Sequence, residues 1–307
     1  MENYSLQDAA DRLEELEKFA PYLRGVGRRA TFKWFPYNRT LGAKTTTFTL
    51  GCAGWISSSS SPTSAKCPFC RLELAFDSDD DPWELHKEQS PKCEFVLLDK
   101  LFDSMWTLRD FVHMAIRCAT NEKYEEFMKL IKQSEHPDDH HGFFAFYPLS
   151  RSQATEKLLE LRDKPQYLTY DRRLASFGKF MYDGIGANCT SKKLAKAGWH
   201  NLPDPNTTLA SVKCPFCLLE VEFEESDDPW EEHKKRGPSC DFVKLGKLKE
   251  GLWTTEEALN LSVRIMVMER YEMVLWLVDE METEQRLDDI SKMMKVFMKK
   301  GRNDTVP

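Results

Sequence analysis

Apolar positions recur with a helical period in several stretches of the chain and with strand character in a few short ones. Leu6, Ala9, Leu13, Leu16 and Leu23 fall on one helical face and predict an amphipathic helix within 1–27. Leu158, Leu161 and Leu168 echo that face and predict a helix within 149–172, broken by Pro165. Two long helices are expected, one running to about Gln133 and the other to about Glu282. Each opens on a capping pair, Thr107-x-x-Asp110 and Thr254-x-x-Glu257. A last helix is expected over Gln285–Lys300. Short helices should start at Asp81-Pro82-Trp83-Glu84 and Asp228-Pro229-Trp230-Glu231, where an acid caps and a proline fills the first helical position. Strand-like pieces are Lys66–Pro68 with Leu72–Phe76, and Val212–Pro215 with Leu219–Phe223. Ser134–Pro148, which holds two prolines and His136, His140 and His141, reads as a solvated linker.

Composition narrows the class. The 307 residues are 41% hydrophobic and 12% aromatic, which is too much apolar material for a disordered chain. A net charge of −7 argues against non-specific nucleic-acid binding, which needs clustered Lys and Arg. The first twenty residues are acidic and amphipathic, unlike a signal or transit peptide. The longest apolar run, Met273–Val278, is far short of the roughly twenty residues that span a bilayer. The expectation is a protein of the cytoplasm and nucleus with no membrane partner.

The nine cysteines are an odd number, which disfavours a closed disulfide framework. Cys67, Cys70, His86 and Cys93 follow a Cys-x2-Cys-x15-His-x6-Cys spacing, and Cys214, Cys217, His233 and Cys240 repeat it 147 residues later. Three thiolates and one imidazole close a tetrahedral shell, so two structural Zn2+ ions are expected and neither keeps a position for a catalytic water. Cys52, Cys118 and Cys189 stand outside these sets and read as core or incidental thiols. Met266, Met268, Met273 and Met281 with Trp276 mark a helix face suited to the core, to self-association or to a partner helix.

The repeat extends beyond the ligands. Ala53-Gly54-Trp55 recurs as Ala197-Gly198-Trp199, residues 80–96 as 227–243, and Lys123-Tyr124-Glu125 as Arg270-Tyr271-Glu272. The chain is a tandem duplication of a unit of about 145 residues.

In order, Arg-x-x-Ser/Thr-Phe, Ala-Gly-Trp, Cys-x-x-Cys, Asp-Asp-Pro-Trp-Glu-x-His and Pro-x-Cys-x-Phe-Val resemble the baculoviral inhibitor-of-apoptosis repeat, or BIR domain, of the survivin-like type. The resemblance implies an α+β, mostly helical fold: two zinc-binding modules, each a small three-stranded antiparallel sheet with short helices, each followed by a long helix. The expected segments are 1–27 helix, 28–97 first BIR domain, 98–133 long helix, 134–148 linker, 149–172 helix, 173–244 second BIR domain and 245–307 C-terminal helices. By the same resemblance Arg28 and Arg173 tie the preceding helix to the core, and Phe32, Trp55, Phe177 and Trp199 are core. A peptide groove beside the third strand would comprise Leu74, Phe76, Asp80 and Gln89, and Val221, Phe223, Asp227 and Arg236. Here the chain departs from the family: Phe76 and Phe223 stand where Trp is usual, and Gln89 and Arg236 replace the groove Trp of caspase-regulating repeats. The implied protein is a non-enzymatic adaptor in cell division and chromosome segregation. It would bind peptide N-termini, such as a histone tail or an apoptosis regulator, or bundle its helices with partners or a second copy. The alternative is an inhibitor of caspase-type proteases acting in apoptosis. Six of the nine cysteines belong to the zinc sets and the three others are too few for a RING, so no ubiquitin-ligase activity is expected.

Overall fold

The computed structural model describes residues 6–135, 161, 165–184, 186–202 and 210–298. Its N-terminal amphipathic segment does not fold as one helix. α1 (Leu6–Leu16) gives way to a 3-10 turn at Glu17–Phe19, followed by α2 (Ala20–Leu23) and α3 (Gly25–Ala30). The break falls just ahead of Pro21, which has no N–H for the carbonyl four residues back and whose ring crowds it. The apolar face persists through the break, since Ala9, Leu13, Leu16 and Leu23 are all buried.

The first module continues with α4 (Thr47–Cys52), β1 (Ile56–Ser57), β2 (Ser64–Lys66), β3 (Glu73–Ala75), α5 (Pro82–Gln89) and α6 (Glu94–Leu98), then the long α7 (Leu108–Glu135). The second repeats the order as α8 (Tyr170–Ala175), α9 (Ser191–Lys196), β4 (His200–Asn201), β5 (Ala210–Lys213), β6 (Glu220–Phe223), α10 (Pro229–Arg236) and α11 (Asp241–Leu245). The long α12 (Thr255–Thr283) and α13 (Leu287–Met298) close the described chain. Each sheet is antiparallel with its middle strand second in sequence, β1-β2-β3 and β4-β5-β6. The fold is therefore mostly helical with two small three-stranded sheets. The strands β1 and β4, too short to show a period, are the ones that residue patterning alone does not mark. Residues 136–148 of the expected linker, with its histidines, and Leu158 lie outside the described residues.

Local signals set the helix starts. Asp81 Oδ1 accepts from the N–H groups of Trp83 and Glu84 at 3.0 and 3.1 Å, and Asp228 does the same for Trp230 and Glu231. At the long helices the capping is reciprocal: Thr107 N–H donates to Asp110 while Asp110 N–H donates to Thr107 Oγ1, and Thr254 with Glu257 repeats it. Such boxes stabilise a helix start by about 1 kcal/mol each.

Two units are distinguished, residues 1–121 with 270–307 and residues 122–269. In the first, Phe111 stacks on Phe297 at 5.6 Å, Arg270 pairs with Glu15, and Arg109 pairs with Asp279. The last part of α12 and all of α13 thus pack with the first module, although they follow the second in sequence. In the second unit Leu261 and Ile265 of α12 belong to the same buried cluster as Trp199, Phe216 and Phe242. Arg264 Nε donates to the Phe216 carbonyl at 3.1 Å. The start of α12 is therefore core to its own module. Met268, Met273 and Met281 are buried as well, and Trp276 is half exposed.

Candidate zinc centres and the strand edge

Each zinc site is assembled from three local structures. The Cys-Pro-Phe-Cys turn is closed by Arg71 N–H donating to the Cys67 carbonyl at 2.9 Å, and by Leu218 to Cys214 at 2.8 Å. Arg71 and Leu218 take left-handed backbone with φ of 66° and 61°, reversing the chain directly after the second cysteine. The capped helices α5 and α10 carry His86 and His233 inward, both fully buried. Cys93 and Cys240 stand at the N-caps of α6 and α11.

The four ligand atoms of each set lie within 4.8 Å of one another. Cys70 Sγ is 3.6 Å from His86 Nε2, Cys217 Sγ is 3.9 Å from His233 Nε2, and Cys214 Sγ is 3.9 Å from Cys240 Sγ. Donors bound tetrahedrally to one ion at about 2.3 Å would stand about 3.7 Å apart, so the spacing fits a single Zn2+. The tautomer fits too. His86 Nδ1–H donates to the Ala53 carbonyl at 2.8 Å and His233 Nδ1–H to Ala197 at 2.7 Å, which leaves each Nε2 lone pair for metal. Burial raises the Cys67 and Cys214 thiols well above their ordinary range. The neighbouring thiols donate to Cys70 and Cys217 and push them down. One thiolate per cluster is thus favoured by its neighbours, and a dication supplies the charge that ionises the others.

The surroundings are the same in both modules. Phe95 stacks on Phe69 at 5.2 Å and lies under the Arg28 guanidinium, while Phe242 stacks on Phe216 at 4.9 Å under Arg173. Gly54 and Gly198 have φ of 90° and 93°, and a Cβ on either would meet the Phe95 or Phe242 ring at under 3 Å. That close approach is why Ala-Gly-Trp recurs. Trp55 and Trp199 donate their indole N–H to the Pro82 and Pro229 carbonyls at 3.0 Å. Arg28 donates to the carbonyls of Tyr22, Leu23 and Gly51, and Arg173 to those of Tyr167, Leu168 and Ala195, tying the preceding segment to each core. Burial lowers the Arg28 guanidinium to about 10, which still leaves it charged at neutral pH. Phe32 and Phe177 are buried, as are Cys118 and Cys189, whereas Cys52 is half buried.

The groove residues divide. Phe76 and Phe223 are about 1% exposed and pack edge-on against Trp55 and Trp199, so they support the strand from beneath and do not reach its surface. Leu74 and Val221 share their inward face, half buried and buried. Asp80 and Asp227 sit in the following turn, where one carboxylate oxygen accepts from Asp77 N–H at 2.7 Å or Glu224 N–H at 2.8 Å. Gln89 and Arg236 are exposed at the last residue of α5 and α10, and Arg236 is held by Glu232 of its own helix. No hydrogen bond among the described residues links either to the strand. The outer edge of β3 carries no partner strand among the described residues. Leu72 and Phe76 bond toward β2, so the alternating N–H and C=O groups of Glu73 and Ala75 face away from the sheet. Glu220 and Glu222 of β6 do likewise.

Each closed Cys3His set belongs to a module with one three-stranded sheet, and its four donors fill a tetrahedral shell, which is the pattern of a structural zinc module. Residues 28–97 and 173–244 match the model described as BIR, the Inhibitor of Apoptosis domain. The chain is 44% identical over 299 residues to the Baculoviral IAP repeat-containing protein bir-2 of Caenorhabditis elegans, covering 96% of both. It therefore belongs to the baculoviral IAP repeat-containing family, whose repeats are generally non-catalytic binding modules. It is also similar to the Chromosomal passenger complex protein bir-1 of Caenorhabditis elegans, 39% identical over 107 residues, covering 34% of this chain and 66% of that protein. Baculoviral IAP repeat-containing protein 5.1-A of Xenopus laevis is 35% identical over 114 residues, covering 37% of this chain and 69% of that protein. Among the described residues no helix is long and apolar enough to cross a membrane.

Proposed function

We propose that this chain is a non-enzymatic adaptor that captures basic peptides by their free amino termini along the outer edges of β3 and β6. The observation that carries this reading is the open strand edge ending in an acidic turn. Main-chain groups of Glu73 and Ala75, or Glu220 and Glu222, would add a peptide strand, and the acids alongside would attract its positive charge. Asp80 and Asp227 each keep a second carboxylate oxygen without a hydrogen bond among the described residues, and that oxygen would receive the amine. Leu74 and Val221 would back the peptide from the inward face, with Gln89 and Arg236 at its far end.

The biological setting we infer is cell division, in the cytoplasm and nucleus. It is supported by similarity to a protein named for the chromosomal passenger complex. A role in restraining caspase-type proteases is the second reading, and the Inhibitor of Apoptosis domain match favours it. Calorimetric titration of the zinc-loaded chain with a lysine-rich peptide of about eight residues separates amine capture from charge attraction. The free-amine peptide should bind about tenfold tighter than its N-acetylated form, and Asp80→Asn with Asp227→Asn should remove that difference. Equal binding of the two forms would overturn the reading.

A further inference from the structure

The second module has a cleft of about 400 Å3 lined by Tyr170, Lys192, Lys193, Lys196, Leu248, Lys249 and Glu250. It lies away from the β6 edge, formed by the start of α8, the outer side of α9 and the segment after α11. We propose that this cleft is a second recognition site that takes an acidic peptide segment, one carrying clustered carboxylates or phosphate beside an apolar side chain.

The charge is not neutralised from within. Glu250 is turned inward, accepting from Tyr170 N–H and pairing with the buried Arg173 at 3.2 Å. Lys193 donates to Asn188, a neutral partner. Among the described residues no carboxylate lies within ion-pair reach of Lys192, Lys196 or Lys249. Lys192 and Lys196 are also four apart on α9, a like-charge spacing that weakens a helix. Four ammonium groups around one small cleft, in a chain of net charge −7, make a local positive field that draws anions.

The fold does not require these lysines. The repeat places Phe48, Thr49 and Cys52 at the positions of Lys192, Lys193 and Lys196, and Phe102 at that of Lys249. The first module holds the same backbone with no charge at any of the four. Leu248 and Tyr170 give the cleft an apolar floor, which suits an apolar residue of the ligand between its acids. A single tyrosine and no arginine is a poor platform for stacking a polynucleotide, which favours a peptide.

The test uses the full zinc-loaded chain and a fluorescent octapeptide of glutamates around one leucine, N-acetylated so that amine capture at the strand edge cannot contribute. A matching glutamine peptide, a phosphoserine peptide and a short oligothymidylate complete the set. The acidic peptide should bind, the phosphoserine form should bind at least as well, and added salt should weaken both. Lys192→Gln, Lys196→Gln and Lys249→Gln combined should lower affinity about tenfold, with two zinc ions per chain and the melting temperature unchanged. Acidic-peptide binding that survives the triple variant, or a glutamine peptide that binds equally, would overturn the proposal. So would oligothymidylate binding more tightly than the peptide through the same lysines.

Discussion

The two modules share a framework down to single hydrogen bonds and differ at many positions around it. Arg28 and Arg173 bond to three equivalent main-chain carbonyls, and Trp55 and Trp199 and the two zinc sets have equivalent partners. Around them, Phe48 and Phe102 are about half exposed in the first module where Lys192 and Lys249 stand in the second, and Ile56 is replaced by the buried His200. The paired positions that do not vary are those that hold the zinc, pack its aromatic stack or fix the preceding segment. The phenylalanine-to-lysine changes lie where the module meets solvent, whereas the His200 change is buried. The duplication thus separates what folds the module from what directs it.

The largest contrast within the framework is at the buried arginines. Arg173 Nη2 pairs with Glu250, whereas Arg28 Nη2 has no hydrogen-bond partner. Arg173→Met should cost about 4 kcal/mol, because it strands a carboxylate as well as three carbonyls; Arg28→Met should cost about 3 kcal/mol. Denaturant unfolding followed by hydrogen exchange in each module gives both values, and equal costs would mean Glu250 contributes nothing. Next come the glycines. Gly54→Ala and Gly198→Ala should each lose about 2 kcal/mol, since both meet a ring and a left-handed backbone. A loss in one module alone would break the equivalence.

A pH contrast follows from His200, which stacks on Tyr167 at 3.8 Å and is pushed down to about 4 by burial. Its folded form stays neutral while the unfolded chain takes up a proton at about 6.5. Its contribution is therefore intact above that pH and lost as the pH falls toward 4. The second module should weaken by about 1–3 kcal/mol over that range beyond any change shared with the first. His200→Ile should remove the excess in an acid titration monitored by exchange at β4; an unchanged acid profile would discount the imidazole. The smallest effect is expected where the modules differ most. Phe48→Lys with Phe102→Lys should leave stability within about 0.5 kcal/mol of the parent, measured by thermal melting. A larger loss would show that these phenylalanines belong to the framework.

Features encoded by neighbouring residues were legible in the chain. The zinc ligands, the Asp81 and Asp228 caps, and the Thr107 and Thr254 capping boxes depend on spacings of a few residues and on the exact repeat of those spacings. Features set by distant packing were not. Nothing near Arg270 or Phe297 announces that they pack with α1 and α7 in the first unit. The role of Leu261 and Ile265 in the second core likewise depends on where α12 returns, so a chain cut at Lys249 would lose part of that core and not only a partner surface. The groove residues show the same limit. Alternation places Phe76 beside Leu74, but only burial against Trp55 shows that it supports the edge from below. The lysine cleft escaped notice because Lys192, Lys196 and Lys249 meet only in the folded module.

The central claim, two equivalent and separately folded zinc modules, is tested most directly by metal content in three proteins. Elemental analysis should find two zinc ions in the parent chain and one in each of Cys70→Ser and Cys217→Ser. Exchange protection should be lost only around the altered site, because zinc binding there is folding free energy on the order of 10 kcal/mol. A parent chain with one zinc or none, or a single substitution that empties both sites, would contradict the account.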